Sequence, residues 1–154
     1  MSEHIKKIGV IGAGQMGSGI AHVCALSGFN VHLVDISPEN LERAMSEIER
    51  NMARQVEREE ITAAAAEAAQ KLISTGSDYA GFGDCQMVVE AATENEAVKK
   101  EILKDLCPHL SEDALVASNT SSISITRLGS YTDRPGKFVG MHFMNPVPRM
   151  ELVE

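Results

Sequence analysis

The sequence predicts an α/β domain: a mostly parallel, doubly wound sheet with helices on both faces. One observation on the sequence and one general rule lead to this prediction. Short apolar, β-branched runs alternate along the chain with stretches of helical apolar periodicity. Strands separated by helices pair in parallel through right-handed crossovers. A chain of 154 residues with 44% hydrophobic and 23% charged residues can bury one sizeable core, so we expect residues 1–154 to form one domain.

The first elements form a complete βαβ unit. Residues 8–11 are a short β-branched run that ends in glycines, and apolar residues recur at helical spacing from Met16 onward. Residues 31–34 are the second strand. Ser37 and Pro38 then supply an N-cap and a first helical residue, so a long helix is expected after them.

The rest of the chain continues the alternation. Thr62 precedes four alanines, a composition that favours a helix inserted before the next strand. After a glycine-containing loop, the later elements are predicted as strand 87–89, helix 96–106, strand 115–117, helix 123–128 and strand 138–143.

The turn after the first strand carries the motif G-x-G-x-x-G, formed by Gly12, Gly14 and Gly17. It follows a predicted strand, opens a helix and precedes Asp35 by eighteen residues, which is the context of a dinucleotide-binding turn. The first glycine allows the tight turn, the second admits a pyrophosphate, and the third lets strand and helix pack closely. The pyrophosphate would lie at the helix N-terminus. The motif therefore predicts a Rossmann-type fold.

Asp35 at the end of the second strand indicates which dinucleotide is bound. Its carboxylate can accept hydrogen bonds from both adenosine ribose hydroxyls, whereas it would repel a 2′-phosphate. Ile36 follows it instead of an arginine. We therefore expect NAD in preference to NADP. The alternative is that the glycines serve the turn alone and Asp35 merely caps the next helix.

Composition excludes several other classes. A formal net charge of -8 opposes a nucleic-acid partner, because phosphate backbones require a basic face. The odd, widely spaced cysteines form no C-x-x-C pair and have no histidine at metal-ligand spacing, so we expect buried free thiols and no metal site. Residues 1–7 fit neither a signal peptide nor a membrane span, so a cytoplasmic location without a membrane partner is expected.

Three segments resemble a known family. Residues 12–21 (GAGQMGSGIA) are similar to the opening of short-chain 3-hydroxyacyl-CoA dehydrogenases, including 3-hydroxybutyryl-CoA dehydrogenases. SNTSS at 118–122, and GMHFMNPVP at 140–148 with LVE at 152–154, resemble that family's catalytic blocks in order and spacing. The resemblance covers nearly the whole chain.

The resemblance implies an activity and a second domain that complete family members carry. It implies NAD-dependent interconversion of short-chain 3-hydroxyacyl-CoA and 3-oxoacyl-CoA in fatty-acid or butanoate metabolism. Complete members of the family carry a further, mostly helical domain that supplies dimer contacts and another active-site asparagine. We expect that domain to lie outside these 154 residues, in which case the chain alone could bind NAD without turning over substrate.

The resemblance also implies the catalytic residues. It makes His142 the base, Glu154 its orienting carboxylate and Ser121 a hydroxyl near the substrate oxygen and the nicotinamide. A histidine suits proton transfer near neutral pH, and a carboxylate on its far nitrogen would fix the tautomer. The implied cofactor-binding positions are Gly12, Ala13, Gly14, Gln15, Met16, Gly17, Asp35, Glu94, Lys99, Asn119 and Ser121.

Each assignment has a structural alternative. His142 could be a core histidine, since it stands between two apolar residues. Ser121 could cap a helix that begins near residue 123. Glu94 and Lys99 could belong to a solvated helix start, which is where charged residues usually occur.

Arginines recur every four residues on the long second helix, at Arg50, Arg54 and Arg58. They lie along one side, and Arg54 and Arg58 are, with Ser121, candidate contacts of the substrate, the two arginines for the phosphates of coenzyme A. The alternative is a solvated, salt-bridged face, for which three nearby glutamates offer partners: Glu47, Glu49 and Glu57.

Two other functions remain open from the sequence. One is a related dehydrogenase that acts on a free hydroxy acid, because pocket walls outside this chain would select the acyl group. The other is a module that binds NAD without catalysis, since a fold by itself does not prove chemistry. The second alternative leaves the joint occurrence of His142, Glu154 and Ser121 without a reason.

Overall fold

A computed structural model describes residues 4–154, and residues 1–3 of the N-terminal segment discussed above lie outside the described part. Six strands form one parallel sheet in the order β3-β2-β1-β4-β5-β6. The strands are β1 (Lys7–Ile11), β2 (Asn30–Val34), β3 (Ile73–Gly76), β4 (Met87–Glu90), β5 (Leu115–Ser118) and β6 (Phe138–Gly140). The helices are α1 (Gln15–Leu26), α2 (Pro38–Glu57), α3 (Ala63–Lys71), α4 (Glu96–Leu106) and α5 (Ile125–Gly129).

This topology confirms the predicted doubly wound fold. Strand β1 pairs with β2 on one side and with β4 on the other, so the winding direction of the chain reverses between β1 and β4. In open α/β sheets a ligand binds outside the carboxyl ends of the strands at this reversal. The loops after β1, β2, β4, β5 and β6 therefore form the candidate site.

Helices cover both faces of the sheet over separate apolar cores. On one face α1, α2 and α3 bury Ile20, Ile48 and Met52 against the sheet. On the other face α4 and α5 bury Leu103 and Leu128. Buried strands with apolar residues on both sides account for the continuous apolar runs of the sequence.

One strand and two element boundaries differ most from the sequence prediction. Strand β3 was not predicted, because its four residues (ISTG) lack apolar alternation and it is an edge strand paired only with β2. Helix α5 begins at Ile125, two residues later than expected, because Ser124 is the N-cap and its hydroxyl accepts from the Arg127 amide. Strand β6 ends at Gly140, after which the chain turns away from the sheet.

The cysteine thiols are free, as expected from the sequence. Cys85 and Cys107 are buried and Cys24 is partly buried. Burial raises the pKa of Cys24 and of Cys85 to about 11, so neither thiol ionises near neutral pH. Within residues 4–154, no helix combines the length and the apolar character needed to cross a membrane.

Candidate functional site

The glycine turn between β1 and α1 uses each glycine differently. Gly12 has a φ of +103°, and a Cβ there would lie 2.6 Å from the Ala91 carbonyl oxygen. A Cβ on Gly17 would lie 1.6 Å from the Gly12 carbonyl oxygen, so α1 can pack against the turn only without a side chain there. At Gly14 no atom lies within 4 Å of a Cβ position. The middle glycine thus faces open space at the helix N-terminus, where a phosphate group can approach.

Asp35 is fixed beside this turn. Its Oδ2 accepts from the Ala13 amide at 2.8 Å, and its Oδ1 accepts from the Ser37 amide at 2.8 Å and from Asn40 Nδ2 at 3.3 Å. The N-cap of α2 is Ser37, whose hydroxyl accepts from the Asn40 amide. The alternative in which Asp35 serves only as the helix cap is therefore wrong.

Two clefts lie on either side of the glycine turn. The first, of about 320 Å³, is lined mainly by apolar side chains, among them Ile36, which is 89% exposed, and Val98. The second, of about 250 Å³, is more polar and is lined by Gly14, Gln15, Met16, Ala91, Ala92, Thr93, Glu94, Lys99 and Asn119. Ala92 and Thr93 line both clefts.

This arrangement fits a dinucleotide. An apolar cleft beside Asp35 suits an adenine base next to its ribose, and the open space at Gly14 suits the pyrophosphate. The second cleft contains the hydrogen-bonding side chains that a nicotinamide amide and ribose require. All cofactor positions inferred from the sequence, except Ser121, belong to the turn or line one of these clefts.

A buried ion pair lies under the second cleft. Glu90, which ends β4, accepts at Oε1 from Lys99 Nζ at 2.5 Å and from Ser118 Oγ at 2.7 Å. Its Oε2 accepts from the Ala92 amide at 2.8 Å. Glu90 is fully buried and Lys99 is 1% exposed, so the charges are satisfied by each other and by these hydrogen bonds. The pair ties the ends of β4 and β5 to α4.

Glu94 and Lys99 therefore differ in environment. Glu94 is exposed, and its Oε2 accepts from Thr120 Oγ1 at 2.9 Å and from Ser122 Oγ at 3.2 Å. It links the loop after β4 to the loop after β5. Lys99 is buried in the ion pair, so the expectation of a solvated helix start does not hold for it.

Ser121 lies in the loop after β5 and is exposed. Thr120 and Ser122 on either side of it are engaged by Glu94, which fixes the backbone around it. Ser121 does not cap α5, since Ser124 has that role. Its hydroxyl is available at the carboxyl end of the sheet.

His142 and Glu154 meet through both backbone and side chain. The His142 amide donates to the Glu154 carbonyl at 2.7 Å, and the Glu154 amide donates to the His142 carbonyl at 2.9 Å. The His142 Nδ1 atom lies 3.5 Å from Glu154 Oε2. The His142 side chain is 33% exposed, so the interpretation of a buried core histidine is wrong.

Asn119 connects this pair to the second cleft. It is 8% exposed and its Oδ1 accepts from the Phe143 amide at 2.8 Å, next to His142 in the chain. The Met141 amide donates to the Ser118 carbonyl at 2.9 Å. The residues on both sides of His142 are thus bonded to Ser118 and Asn119 at the end of β5, and Asn119 lines the second cleft.

The arginine row of α2 lines a third cavity, of about 310 Å³. Arg54 and Arg58 both line it, and Arg50 does not. Among residues 4–154, no carboxylate lies within 4.0 Å of the guanidinium groups of Arg50, Arg54 or Arg58. The expected salt-bridged face is therefore absent from the described residues.

The fold and the site define the class of this chain. A parallel sheet with a G-x-G-x-x-G turn, a ribose-side aspartate and two clefts at the reversal point is a dinucleotide-binding α/β domain. Residues 7–154 match the family model described as "3-hydroxyacyl-CoA dehydrogenase, NAD binding domain", and the chain belongs to that family. NAD is the cofactor of this domain family.

Comparisons with individual proteins agree. The chain is 53% identical over 154 residues to a 3-hydroxybutyryl-CoA dehydrogenase of Bradyrhizobium diazoefficiens, covering 100% of this chain and 53% of that protein. It is 42% identical over 150 residues to a fatty acid oxidation complex subunit alpha of a Psychrobacter species, covering 97% of this chain and 21% of that protein.

A crystal structure of an (S)-3-hydroxybutyryl-CoA dehydrogenase from Ralstonia eutropha superposes with a TM-score of 0.95 at 42% identity. The superposition covers 97% of this chain and 53% of that one. The chain thus spans about half the length of the dehydrogenase relatives it matches.

Several residues of the site were not found by sequence reasoning. The carboxylate of Glu90 directly after an apolar strand was a usable signal, because a buried charge requires a partner. No feature of the sequence spacing indicated that the Ser118 hydroxyl would donate to the Glu90 carboxylate. Arg149, which also lines the third cavity, stands between Pro148 and Met150 and carries no local motif.

Proposed function

We propose that this chain is the nucleotide-binding half of an NAD-dependent enzyme that interconverts 3-hydroxyacyl-CoA and 3-oxoacyl-CoA. The observation that carries the proposal is the His142–Glu154 pair, whose neighbour Phe143 donates its amide to Asn119 in the second cleft of a dinucleotide site. Two relatives named for 3-hydroxybutyryl-CoA support a short-chain substrate. A third, named for a fatty acid oxidation complex, supports a place in fatty-acid metabolism.

His142 is the general base in this proposal. When bound, NAD would supply the hydride acceptor for carbon 3 of the substrate. His142 removes the proton of the 3-hydroxyl group as the carbonyl forms, and a histidine near neutral pH suits that transfer. In the reverse direction His142 returns the proton to the oxygen.

Glu154 orients and stabilises the base. Its carboxylate lies on the Nδ1 side of His142, which assigns the proton of the neutral ring to Nδ1 and leaves Nε2 to accept the substrate proton. The carboxylate then stabilises the imidazolium that forms. Two backbone hydrogen bonds hold the two residues together, so little reorganisation is required.

The remaining residues position substrate and cofactor. Ser121 is exposed in the loop after β5, and the family resemblance implies that its hydroxyl would donate to the substrate oxygen near the nicotinamide. Asn119 holds the segment of His142 through the Phe143 amide. Asp35 would hold the adenosine ribose of the bound cofactor. Glu94 and Lys99 shape the second cleft, Glu94 from its rim and Lys99 from the buried ion pair.

The free thiols support a reducing, cytoplasmic location. By the family resemblance, a further domain outside these residues supplies homodimer contacts and a part of the acyl pocket. The partner of the chain in this proposal is therefore an acyl-CoA thioester rather than a nucleic acid or a membrane.

Two titrations test the proposal. Calorimetry with NADH and NADPH should show at least about tenfold tighter binding of NADH, a difference of about 1.4 kcal/mol.

Acetoacetyl-CoA is then added and NADH absorbance is followed, with free acetoacetate as the matched control. Loss of absorbance with the thioester alone supports the dehydrogenase, and oxidation with the free acid instead would favour a hydroxy-acid enzyme. NADH preference without turnover would assign the missing step to residues outside this chain. No binding of either nucleotide would refute the proposal.

A further inference from the structure

The wall of the second cleft contains a buried ammonium group. Of the described residues that line this cleft, Lys99 and Glu94 carry a charge. The Glu94 side chain is exposed, whereas Lys99 is 1% exposed and donates to the carboxylate of Glu90, which is fully buried. Water and salt therefore screen the charge of Glu94 far more than they screen the charges of the buried pair.

Three donors hold the Glu90 carboxylate at the end of β4. Its Oε1 accepts from Lys99 Nζ at 2.5 Å and from Ser118 Oγ at 2.7 Å, and its Oε2 accepts from the Ala92 amide at 2.8 Å. Ala92 lines both clefts of the proposed dinucleotide site. The carboxylate is thus bonded to two residues of the wall of the second cleft, although Glu90 is not itself one of the lining residues.

The two redox states of NAD differ in charge at the ring that the second cleft would hold. The nicotinamide ring is a cation in NAD⁺ and is neutral in NADH. A buried ammonium without a counter-charge would repel NAD⁺ but not NADH, and the low dielectric constant of a protein interior strengthens such a repulsion. A carboxylate 2.5 Å from the ammonium cancels most of this repulsion, because its attraction for the ring nearly equals the repulsion from the ammonium.

We infer that Glu90 is a positioning residue of the cofactor site, which neutralises Lys99 in the cleft wall and thereby sets the relative affinity for NAD⁺ and NADH. The inference rests on the proposed function, which places the nicotinamide in the second cleft, and it adds a residue that governs selectivity between the two redox states. A neutral wall holds the cofactor before and after hydride transfer, so the same site serves both directions of the reaction. Without Glu90 the site would retain NADH and bind NAD⁺ weakly.

The test compares dissociation constants for NADH, NAD⁺ and ADP-ribose. NADH is titrated by its fluorescence, and the other two ligands are titrated by their displacement of NADH. ADP-ribose carries the adenosine and pyrophosphate groups without the nicotinamide, so its affinity reports the rest of the site. The titrations are made at about pH 8.5, where carboxylates are ionised and histidine is neutral.

Opposite single substitutions should move the ratio of the dissociation constants of NAD⁺ and NADH in opposite directions. Glu90→Gln removes the negative charge at nearly constant side-chain size, so the ratio should rise at least about fivefold. Lys99→Met removes the positive charge, so the ratio should fall at least about fivefold. The double variant E90Q/K99M removes both charges and should return the ratio to within about twofold of the wild type.

Two exposed residues of α4 supply the matched controls. Glu101→Gln and Lys104→Met remove the same charges from the same helix, at positions that line neither cleft. Both controls should keep the wild-type ratio within about twofold, because water screens exposed charges. ADP-ribose should bind every variant with about the wild-type affinity, since it lacks the ring whose charge changes.

The stability of the variants is controlled separately. Each variant is checked by circular dichroism and is titrated at about 10 °C in sucrose, which favours the folded state. Lys99→Met leaves the Ser118 and Ala92 donors on the Glu90 carboxylate, so this variant tests the direction of the shift even if Glu90→Gln does not fold. A fall of the ratio in K99M and its return in the double variant would then support the inference.

Defined results would overturn the inference. An unchanged ratio in K99M, or shifts in the same direction in both single variants, would show that the pair does not set the redox selectivity. Equal losses for all three ligands would leave the pair with a structural role alone. A double variant that keeps the shift of K99M would show that Glu90 does not act through Lys99. In each of these cases the wild type still binds NADH, whereas failure of the proposed function would appear as no NADH binding by the wild type.

Discussion

His142 and Glu154 are joined by three contacts although they are twelve positions apart in the chain. Two backbone hydrogen bonds of 2.7 and 2.9 Å bring the residues side by side, and the ring Nδ1 lies 3.5 Å from the carboxylate. Because the two backbone hydrogen bonds already place the residues next to each other, the contact between their side chains does not depend on side-chain conformation alone. The proposed base and its proposed orienting carboxylate are thus fixed relative to each other by the fold.

Replacing the base should reduce turnover without reducing cofactor binding. His142→Gln removes the proton acceptor, and we expect kcat for the CoA thioester to fall by about 10²- to 10⁴-fold. NADH affinity should stay within about twofold, because His142 is not among the residues that line the two clefts. His109→Gln, the same substitution at an exposed histidine outside these clefts, is the control. A variant that retained wild-type kcat would exclude His142 as the base.

The glycine turn offers a matched pair of substitutions. Gly17→Ala places a Cβ 1.6 Å from a backbone oxygen and should destabilise the fold by about 3 kcal/mol, which lowers the melting temperature by about 6 to 12 °C. Gly14→Ala meets no atom within 4 Å, so the fold should remain while NADH affinity falls at least about tenfold. Calorimetry and thermal unfolding measure the two effects. Equal behaviour of the two variants would contradict the roles assigned to these glycines.

Asp35 should control the choice between NADH and NADPH. Asp35→Asn removes the negative charge that repels a 2′-phosphate, so NADPH should bind more tightly and NADH less tightly. The ratio of the two dissociation constants should shift by about tenfold toward NADPH. Glu39→Gln removes the same charge from the exposed first turn of α2 and should leave the ratio unchanged. An unaltered ratio in the Asp35 variant would separate this residue from cofactor selection.

Removing one partner of the buried Glu90–Lys99 ion pair should lower the stability of the fold. Glu90→Gln leaves the Lys99 ammonium buried without its counter-charge and should reduce the free energy of unfolding by about 3 to 5 kcal/mol. Adding Lys99→Met to that variant should recover part of the loss, because no uncompensated charge remains. Urea denaturation of both single variants and of the double variant measures the coupling. Simple additivity of the two single losses would contradict a direct pairing.

His22 should make stability fall in mild acid. Burial lowers the pKa of His22 below its usual value, so the folded state favours the neutral ring. The unfolded state then binds the proton first as pH falls below about 6.5, and stability is lost progressively from there toward the lower folded-state pKa. The free energy of unfolding should drop more between pH 7.5 and pH 5.5 in the wild type than in His22→Gln. His4, which is exposed, supplies the control variant His4→Gln with the wild-type slope.

The sequence alone predicted the Rossmann-type fold, and it placed four of the proposed cofactor-binding residues in one local unit. Gly12, Gly14, Gly17 and Asp35 lie within one strand-turn-helix-strand unit, so local backbone geometry places them together. The apolar runs also predicted five of the six strands and every helix. Strand β3 was not predicted, because an edge strand of four residues is little buried and therefore shows little apolar alternation.

Only the tertiary structure decided which charges pair and which remain free. It buried Lys99 against Glu90, brought Glu154 to His142, and placed Arg149 with arginines more than ninety residues earlier in the chain. Sequence spacing predicts neighbours on one helix or one strand, whereas these contacts form between loops at the carboxyl ends of different strands. Their distances follow from sheet order and packing, which exist only once the whole domain has folded.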